Sequence, residues 1–132
     1  MLDTDVASYL IRDPSPERIH QLGEASPHSF VISAVTRGEL RYGLGRRPEA
    51  VTLARVTELF LAGVETLPWD DAAADRCGVV RAELALKGRP IGSLDEMIAA
   101  HALSCDAVLV TGNVRHFGRV TGLRLRAWER SA

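Results

Sequence analysis

Long apolar runs are missing from this 132-residue chain, and no stretch approaches the roughly 20 apolar residues that a membrane-crossing helix needs. The N-terminus lacks the succession of basic, apolar and small residues that marks a secretory signal, so a cytoplasmic protein is expected. Cysteine is scarce. Cys77 and Cys105 cannot staple a scaffold and lack metal-ligand spacing, which fits a reducing compartment. His20, His28, His101 and His116 show no paired ligand spacing either, so zinc is not expected. An excess of either charge is also absent. A formal net charge of −1 argues against avid, sequence-blind binding of nucleic acid by the whole surface, though not against a local contact. Lys87 is the only lysine; every other basic residue is arginine, whose fork grips phosphate in a bidentate way. A GC-rich genome produces the same bias.

What remains is ordinary for a globular domain: 46% apolar and 25% charged residues. Repeats, low-complexity segments and linkers are lacking, so residues 1–132 are expected to form one domain. Such a chain can bury about two-thirds of its unfolded surface.

The chain is organised around Gly92-Ser93-Leu94-Asp95-Glu96-Met97-Ile98-Ala99-Ala100-His101-Ala102-Leu103. The pattern predicts an amphipathic helix burying Leu94, Met97, Ile98 and Leu103, with Ser93 as N-cap. Asp95 then lies in the first turn, where the helix dipole stabilises a carboxylate, and Ala99-Ala100 lets another backbone come close. Elsewhere, Met1-Leu2 reads as a very short strand before a helix capped by Asp5 or Thr4 and stopped by Pro14. A second short helix is predicted over residues 16–23. Phe30-Val31-Ile32 reads as a buried strand, followed by a helix capped by Ser33 that runs from Ala34 to Leu44 and ends near Gly43 or Gly45. A longer helix starts at Pro48-Glu49, its apolar side formed by Val51, Leu53, Val56, Leu59 and Phe60. Then come a strand over residues 64–67, a helix opened by Asp70 or Asp71, the Asp95 helix, and a buried strand over residues 107–111. A last strand over residues 123–128 alternates apolar and charged residues, as at a sheet edge. Strands alternating with helices imply a mainly parallel sheet between two helical layers.

In such sheets, ligands gather at the carboxyl ends of the strands. Asp3 and Asp5 follow the first strand, Glu39 lies about two turns into the helix after the second, Asp95 opens its own helix, and Thr111-Gly112-Asn113 follow a later strand. Separate segments thus offer acidic or amide groups to one edge. Carboxylates about 5 Å apart repel by roughly 3 kcal/mol per pair at an effective dielectric near 20, so such a cluster needs protons or a cation. Oxygen ligands alone select a hard ion, Mg²⁺ or Mn²⁺. Taken singly, each residue has a blander reading. Asp95 complements a dipole, Glu39 is a surface charge, Asp70, Asp71 and Asp75 start a helix, Glu83 is a surface residue, His101 is a packed helix residue, and Trp69 and Trp128 pack. Arg119, Arg124, Arg126 and Arg130 make the C-terminal region locally basic, suited to phosphates or an acidic partner segment.

Four stretches in order carry a resemblance over nearly the whole chain: Met1-Leu2-Asp3-Thr4-Asp5; Ile32-Ser33 through Gly38-Glu39-Leu40; Pro90-Ile91-Gly92-Ser93-Leu94-Asp95 through Ile98-Ala99-Ala100-His101-Ala102; and Leu109-Val110-Thr111-Gly112-Asn113 through Phe117. In these the chain resembles the PIN-domain ribonucleases, specifically the VapC-type toxins of bacterial toxin–antitoxin pairs. The resemblance implies a PIN-like three-layer α/β/α sandwich and an acidic site of Asp3, Glu39 and Asp95, with Asn113 where the wider family often has a fourth Asp. Asp5 stands where Asn is common, Ser93 where Pro is frequent, and Gly112 where a polar residue is usual. The implied activity is hydrolysis of RNA assisted by Mg²⁺, with Mn²⁺ able to substitute. Asp3 and Asp95 would hold the ion and Glu39 would bind it or orient the attacking water, while Asn113 adds an oxygen. Thr111, Arg115 and His116 are the candidates for touching RNA. Products would carry a 5′-phosphate and a 3′-hydroxyl. The resemblance further implies a transfer- or ribosomal-RNA loop as substrate, a small antitoxin lying across the acidic groove, and a homodimer, with exposed apolar residues over 48–62 available for either contact.

Three rivals stand beside this reading. Asp3-Thr4-Asp5 imitates the nucleophile–acid pair of haloacid-dehalogenase-like phosphatases, and Asp70-Asp71 their later metal-binding acids. Met1-Leu2 is a short strand for that role, however, and Lys87 is the only lysine available. A non-catalytic binding module and a PIN nuclease of RNA processing are the others.

Overall fold

The structure, a computed structural model, describes residues 1–13, 15 and 30–129. The helix expected over residues 16–23 lies outside them, as do His20, His28 and Arg130.

The first strand shrinks to a single residue. Leu2 bridges Ile32 on one side and Val110 on the other, both in parallel. Its N–H donates to the Val31 carbonyl at 2.9 Å, and the next N–H, of Asp3, donates to Val110 at 3.0 Å. The extended backbone therefore persists through Asp3, and helix α1 (Thr4–Arg12) can begin only after it. For that reason the cap is Asp3 rather than Asp5 or Thr4: its Oδ1 accepts from the Val6 N–H at 2.8 Å.

Around Leu2 the remaining strands assemble in parallel. β1 (Val31–Ser33) pairs with β2 (Glu65–Leu67), and β3 (Leu109–Thr111) with β4 (Leu125–Ala127), in registers Ile32↔Thr66 and Val110↔Arg126. The spatial order is β2-β1-Leu2-β3-β4, with β4 at the edge the alternating pattern predicts. Helices α2 (Ala34–Gly45) and α3 (Val51–Gly63) connect β1 to β2; α4 (Asp71–Leu86) and α5 (Ser93–Ser104) lead to β3; the short α6 (Val114–Phe117) leads to β4.

Successive strand residues point to opposite faces, and the core divides accordingly. Met1 and Leu109 join Val80, Leu84, Ile98 and Phe117 under α4, α5 and α6. Leu2, Ile32 and Val110 join Val6, Leu10, Leu40 and Leu61 under α1, α2 and α3. Two cores flanking one sheet are the expected three-layer α/β/α sandwich.

Two helices bury different faces from those the periodicity predicts. In α5, Leu94 is half exposed, while Ile98, Ala99, Ala100 and Ala102 are sealed and α4 packs closely along the small residues. In α3, Val51 and Leu59 are exposed, and Thr57 and Leu61 turn inward. This helix starts at Val51 rather than Pro48, with no side-chain cap. Among the described residues no helix is long and apolar enough to cross a membrane.

Candidate active site

The chain leaves Leu2 for β1 on one side and returns to β3 on the other, so Asp3 stands where the connections of a parallel sheet diverge, the usual place for a ligand. A pocket of ≈ 240 Å³ opens there, lined by Asp3, Thr4, Asp5, Glu39, Asp95, Asn113 and Phe117. The expected acids and Asn113 therefore do converge, from α1, α2, α5 and the β3–α6 loop.

Each is held by a local arrangement. Asp3 is 4% exposed. Burial pushes its carboxyl up to about 6, against the hydrogen bonds from Thr111 and the Val6 N–H; Asp5 and Asp95 push it up further. Glu39 is placed by Ser33, whose hydroxyl accepts the Val35 N–H at 3.0 Å and starts α2. Its Oε1 accepts from the Thr4 hydroxyl at 2.7 Å, and Thr4 in turn lies 3.0 Å from the Thr36 hydroxyl. Desolvation raises the Glu39 carboxyl, opposed by Thr4 and reinforced by Asp95 and Asp5.

Asp95 occupies the first turn of α5, as expected, but the N-cap is Gly92, not Ser93. The chain reverses there at φ 100°, in the left-handed region that favours glycine, and its carbonyl accepts the Glu96 N–H at 2.9 Å. Desolvation raises the Asp95 carboxyl, opposed chiefly by the bond from His116, whose Nε2 lies 3.0 Å from Asp95 Oδ2.

The outer candidates divide. Thr111 is fully buried and cannot touch RNA: its hydroxyl accepts the Asn113 N–H at 3.0 Å and bonds to Asp3. It fixes the loop instead. Arg115 is exposed beside the pocket, whereas His116 is engaged with Asp95. Arg124 pairs with Asp106, and Arg119 reaches the Pro90 carbonyl, so part of the C-terminal basic cluster serves the fold.

Asp70 caps α4 through the Ala73 N–H at 2.9 Å, and neither it nor Asp71 lines the pocket, which removes the phosphatase arrangement. Glu83 is exposed. Trp69 meets His101 edge-on and Trp128 meets Tyr9, both as packing residues. His101 is buried between the Ser33 hydroxyl, 2.7 Å from Nδ1, and the Pro68 carbonyl, and burial lowers its pKa. It is a neutral structural residue. The sequence reading passed over Glu96. It is 5% exposed, faces Arg81 Nε at 3.5 Å and accepts the Ile91 N–H, latching α5 to its approach segment. An acid beside Asp95 carries no periodic signal to separate it from a surface charge.

The donor set of the pocket is oxygen-only and electrostatically crowded, which fits a hard divalent cation. Among the described residues no three His, Cys, Asp or Glu side chains close on one point as a ready-made cage. An ion that keeps several of its own waters matches that openness.

Known proteins share this fold. The family model described as PIN domain matches residues 1–123. A tRNA(fMet)-specific endonuclease VapC of Shigella flexneri is 39% identical over 129 residues, covering 98% of this chain and 97% of that protein. Ribonuclease VapC2 of Rickettsia felis is 31% identical over 132 residues, covering 98% of each. Among solved structures, DNA-bound VapBC from Salmonella typhimurium superposes with a TM-score of 0.89 at 39% identity, covering 98% of this chain and 97% of that one. VapBC-1 from nontypeable Haemophilus influenzae gives 0.85 at 32%, covering 98% of each. VapC nucleases with a PIN domain are generally dependent on a divalent metal. With its acids at the divergence point of a parallel sheet and these relatives spanning its whole length, the chain belongs to the PIN-domain family, among its VapC-type ribonucleases.

Proposed function

We propose that this protein is an endoribonuclease toxin that hydrolyses a phosphodiester bond in a loop of structured RNA, transfer RNA first among them, with Mg²⁺ as cofactor and Mn²⁺ able to substitute. The observation that carries the reading is the convergence of Asp3, Glu39 and Asp95, with Asn113, on one pocket. The tRNA(fMet)-specific relatives support the choice of RNA.

Asp3 and Asp95 are the residues that would hold the cation, and Asn113 offers a neutral carbonyl oxygen. When bound, the ion offsets the crowded charge, lowers the pKa of water and stabilises the charge that develops on the phosphate. Glu39 acts as general base. Thr4 occupies its Oε1, leaving Oε2 to receive a proton from the attacking water, and desolvation makes it a stronger base than a surface glutamate. The water oxygen bonds to phosphorus, the P–O3′ bond breaks, and the 3′-oxygen leaves as a hydroxyl by taking a proton from solvent, to which Glu39 returns the one it received. The ribose 2′-OH takes no part.

The solved VapBC complexes support a VapB-type antitoxin as partner, laid over the acidic pocket, and a homodimer completes the proposed assembly. The test is induced expression followed by mapping of new RNA 5′ ends, with Asp95→Ala as control. New 5′-phosphate ends in a tRNA or rRNA loop, absent from the control, are expected. Products ending in a 2′,3′-cyclic phosphate, or cleavage that survives Asp95→Ala, would overturn the reading.

A further inference from the structure

The His116 side chain spans the gap between two of the loops that build the pocket. Its Nε2 lies 3.0 Å from Asp95 Oδ2, 21 positions earlier in the chain, although Asp95 belongs to α5 and His116 to α6. The imidazole stands edge-on to Phe117, with centroids 5.4 Å apart and planes at 87°. Phe117 is 2% exposed and lines the pocket, so the ring is braced from behind by a residue that does not move freely. The α6 turn is itself tight: a Cβ on Gly118 would meet the Val114 carbonyl oxygen at 2.8 Å. Asn113 begins this same turn, and its N–H is pinned to Thr111. The Asp95–His116 bond thus fixes a carboxylate rotamer and ties α6, with Asn113, to the start of α5.

We infer that His116 is a positioning residue: it holds Asp95 Oδ2 so that Oδ1 faces the pocket, and it sets the distance between Asp95 and Asn113. Chemically it is the carboxylate–imidazole pairing that orients ligands from behind, here with the carboxylate as the inner partner. The role rests on the proposed cation at Asp3 and Asp95. It differs from RNA contact, which would need the imidazole free to leave Asp95.

The experiment is titration of Mn²⁺ into the full-length protein without RNA, followed by electron paramagnetic resonance, on wild type, His116→Phe and His116→Gln. Phe keeps the ring against Phe117 and removes the donor; Gln restores a donor at similar reach. The expected result is Mn²⁺ affinity about 10- to 100-fold weaker in His116→Phe and recovered to within a few-fold in His116→Gln. On a tRNA(fMet) transcript, kcat should fall in His116→Phe while KM stays within about twofold. Wild-type Mn²⁺ affinity in His116→Phe with a raised KM would overturn the inference and make His116 an RNA contact. If His116→Phe unfolds, the decision falls to His116→Ala in a double-mutant cycle with Asp95→Asn, in which additive losses of Mn²⁺ affinity overturn it. Cleavage by wild type without any Mn²⁺ or Mg²⁺ binding would instead sink the metal reading of the site, a different and separable failure.

Discussion

The acid site should weaken the fold that carries it, and Asp3 is where this can be measured. Its carboxyl is buried and titrates at about 6, against 3.8 for an exposed aspartate. The folded chain therefore holds a proton that the unfolded chain has already released. Below pH 3.8 both states are protonated and the site costs nothing. As pH rises through about 6, the unfolded state is favoured increasingly, and the full penalty stands above pH 7. At 1.36 kcal/mol for each tenfold change in the proton equilibrium, this shift corresponds to about 3 kcal/mol. Asp3→Asn keeps the Oδ1 that accepts the Val6 N–H and has no charge to desolvate. In EDTA, urea unfolding of this variant should match wild type near pH 4 and exceed it by about 2–3 kcal/mol near pH 7.5, while nuclease activity is lost. Groups remote from Asp3 cancel in the difference between the two proteins, while Asp5 and Asp95 are relieved of its charge and change the difference in the same direction. A variant less stable than wild type at pH 7.5, or a difference that does not grow between pH 4 and 7, would show that desolvation of Asp3 has been misread.

Other outcomes follow from the same contacts. Mn²⁺ at the proposed site would displace the proton from Asp3, so calorimetric affinity should be level above pH 7 and fall about tenfold per pH unit below about 6. Glu39→Gln preserves the Thr4 bond but removes the proposed base; single-turnover cleavage should slow at least about 100-fold, with the thermal midpoint unchanged or raised. His101→Ala breaks the link between β1 and the segment before α4 and leaves a cavity; stability should drop by about 2 kcal/mol or more in urea, with kcat near wild type in the folded fraction. Gly118→Ala drives a methyl into the Val114 carbonyl and should cost about 1–3 kcal/mol, with a raised KM for Mn²⁺ as α6 shifts.

Much of the site was legible because its members sit at element boundaries. Asp95 follows a glycine that ends a Pro-Ile approach, Asn113 follows the apolar run Ala107-Val108-Leu109-Val110 closed by Thr111-Gly112, and Glu39 lies at a fixed depth into a helix whose Ser33 cap is visible in the sequence. Local chemistry marks each of those places, and the parallel sheet does the gathering. The parts that could not be read depend on contacts between distant segments. Nothing around Met1-Leu2 announces a strand of one residue. Leu2 is extended only because Ile32 and Val110 flank it, and that pairing moves the helix cap from Asp5 or Thr4 to Asp3. The inward turn of Thr57 and Leu61 in α3, at the expense of Val51 and Leu59, likewise follows from where α1 lies and not from α3's own periodicity.

The hydroxyls and the imidazole behind the carboxylates were the least visible, and the reason is physical. A hydroxyl or imidazole that supports a carboxylate has no preferred spacing from it in sequence: Thr4 reaches Glu39 across 35 positions, His116 reaches Asp95 across 21, and Ser33 reaches His101 across 68. These bonds decide the state of the acids. Asp3 receives a hydroxyl and the Val6 N–H, Glu39 a hydroxyl and Asp95 an imidazole. The desolvation that raises all three is opposed by those bonds. Remove the supports and protons would fill the pocket at neutral pH; add one more to each and the acids would stay ionised without needing a cation. The pocket lies between those limits, where the proposed divalent ion would compete with a proton for the same oxygens, and where Glu39, as the proposed base, can accept a proton and then release it.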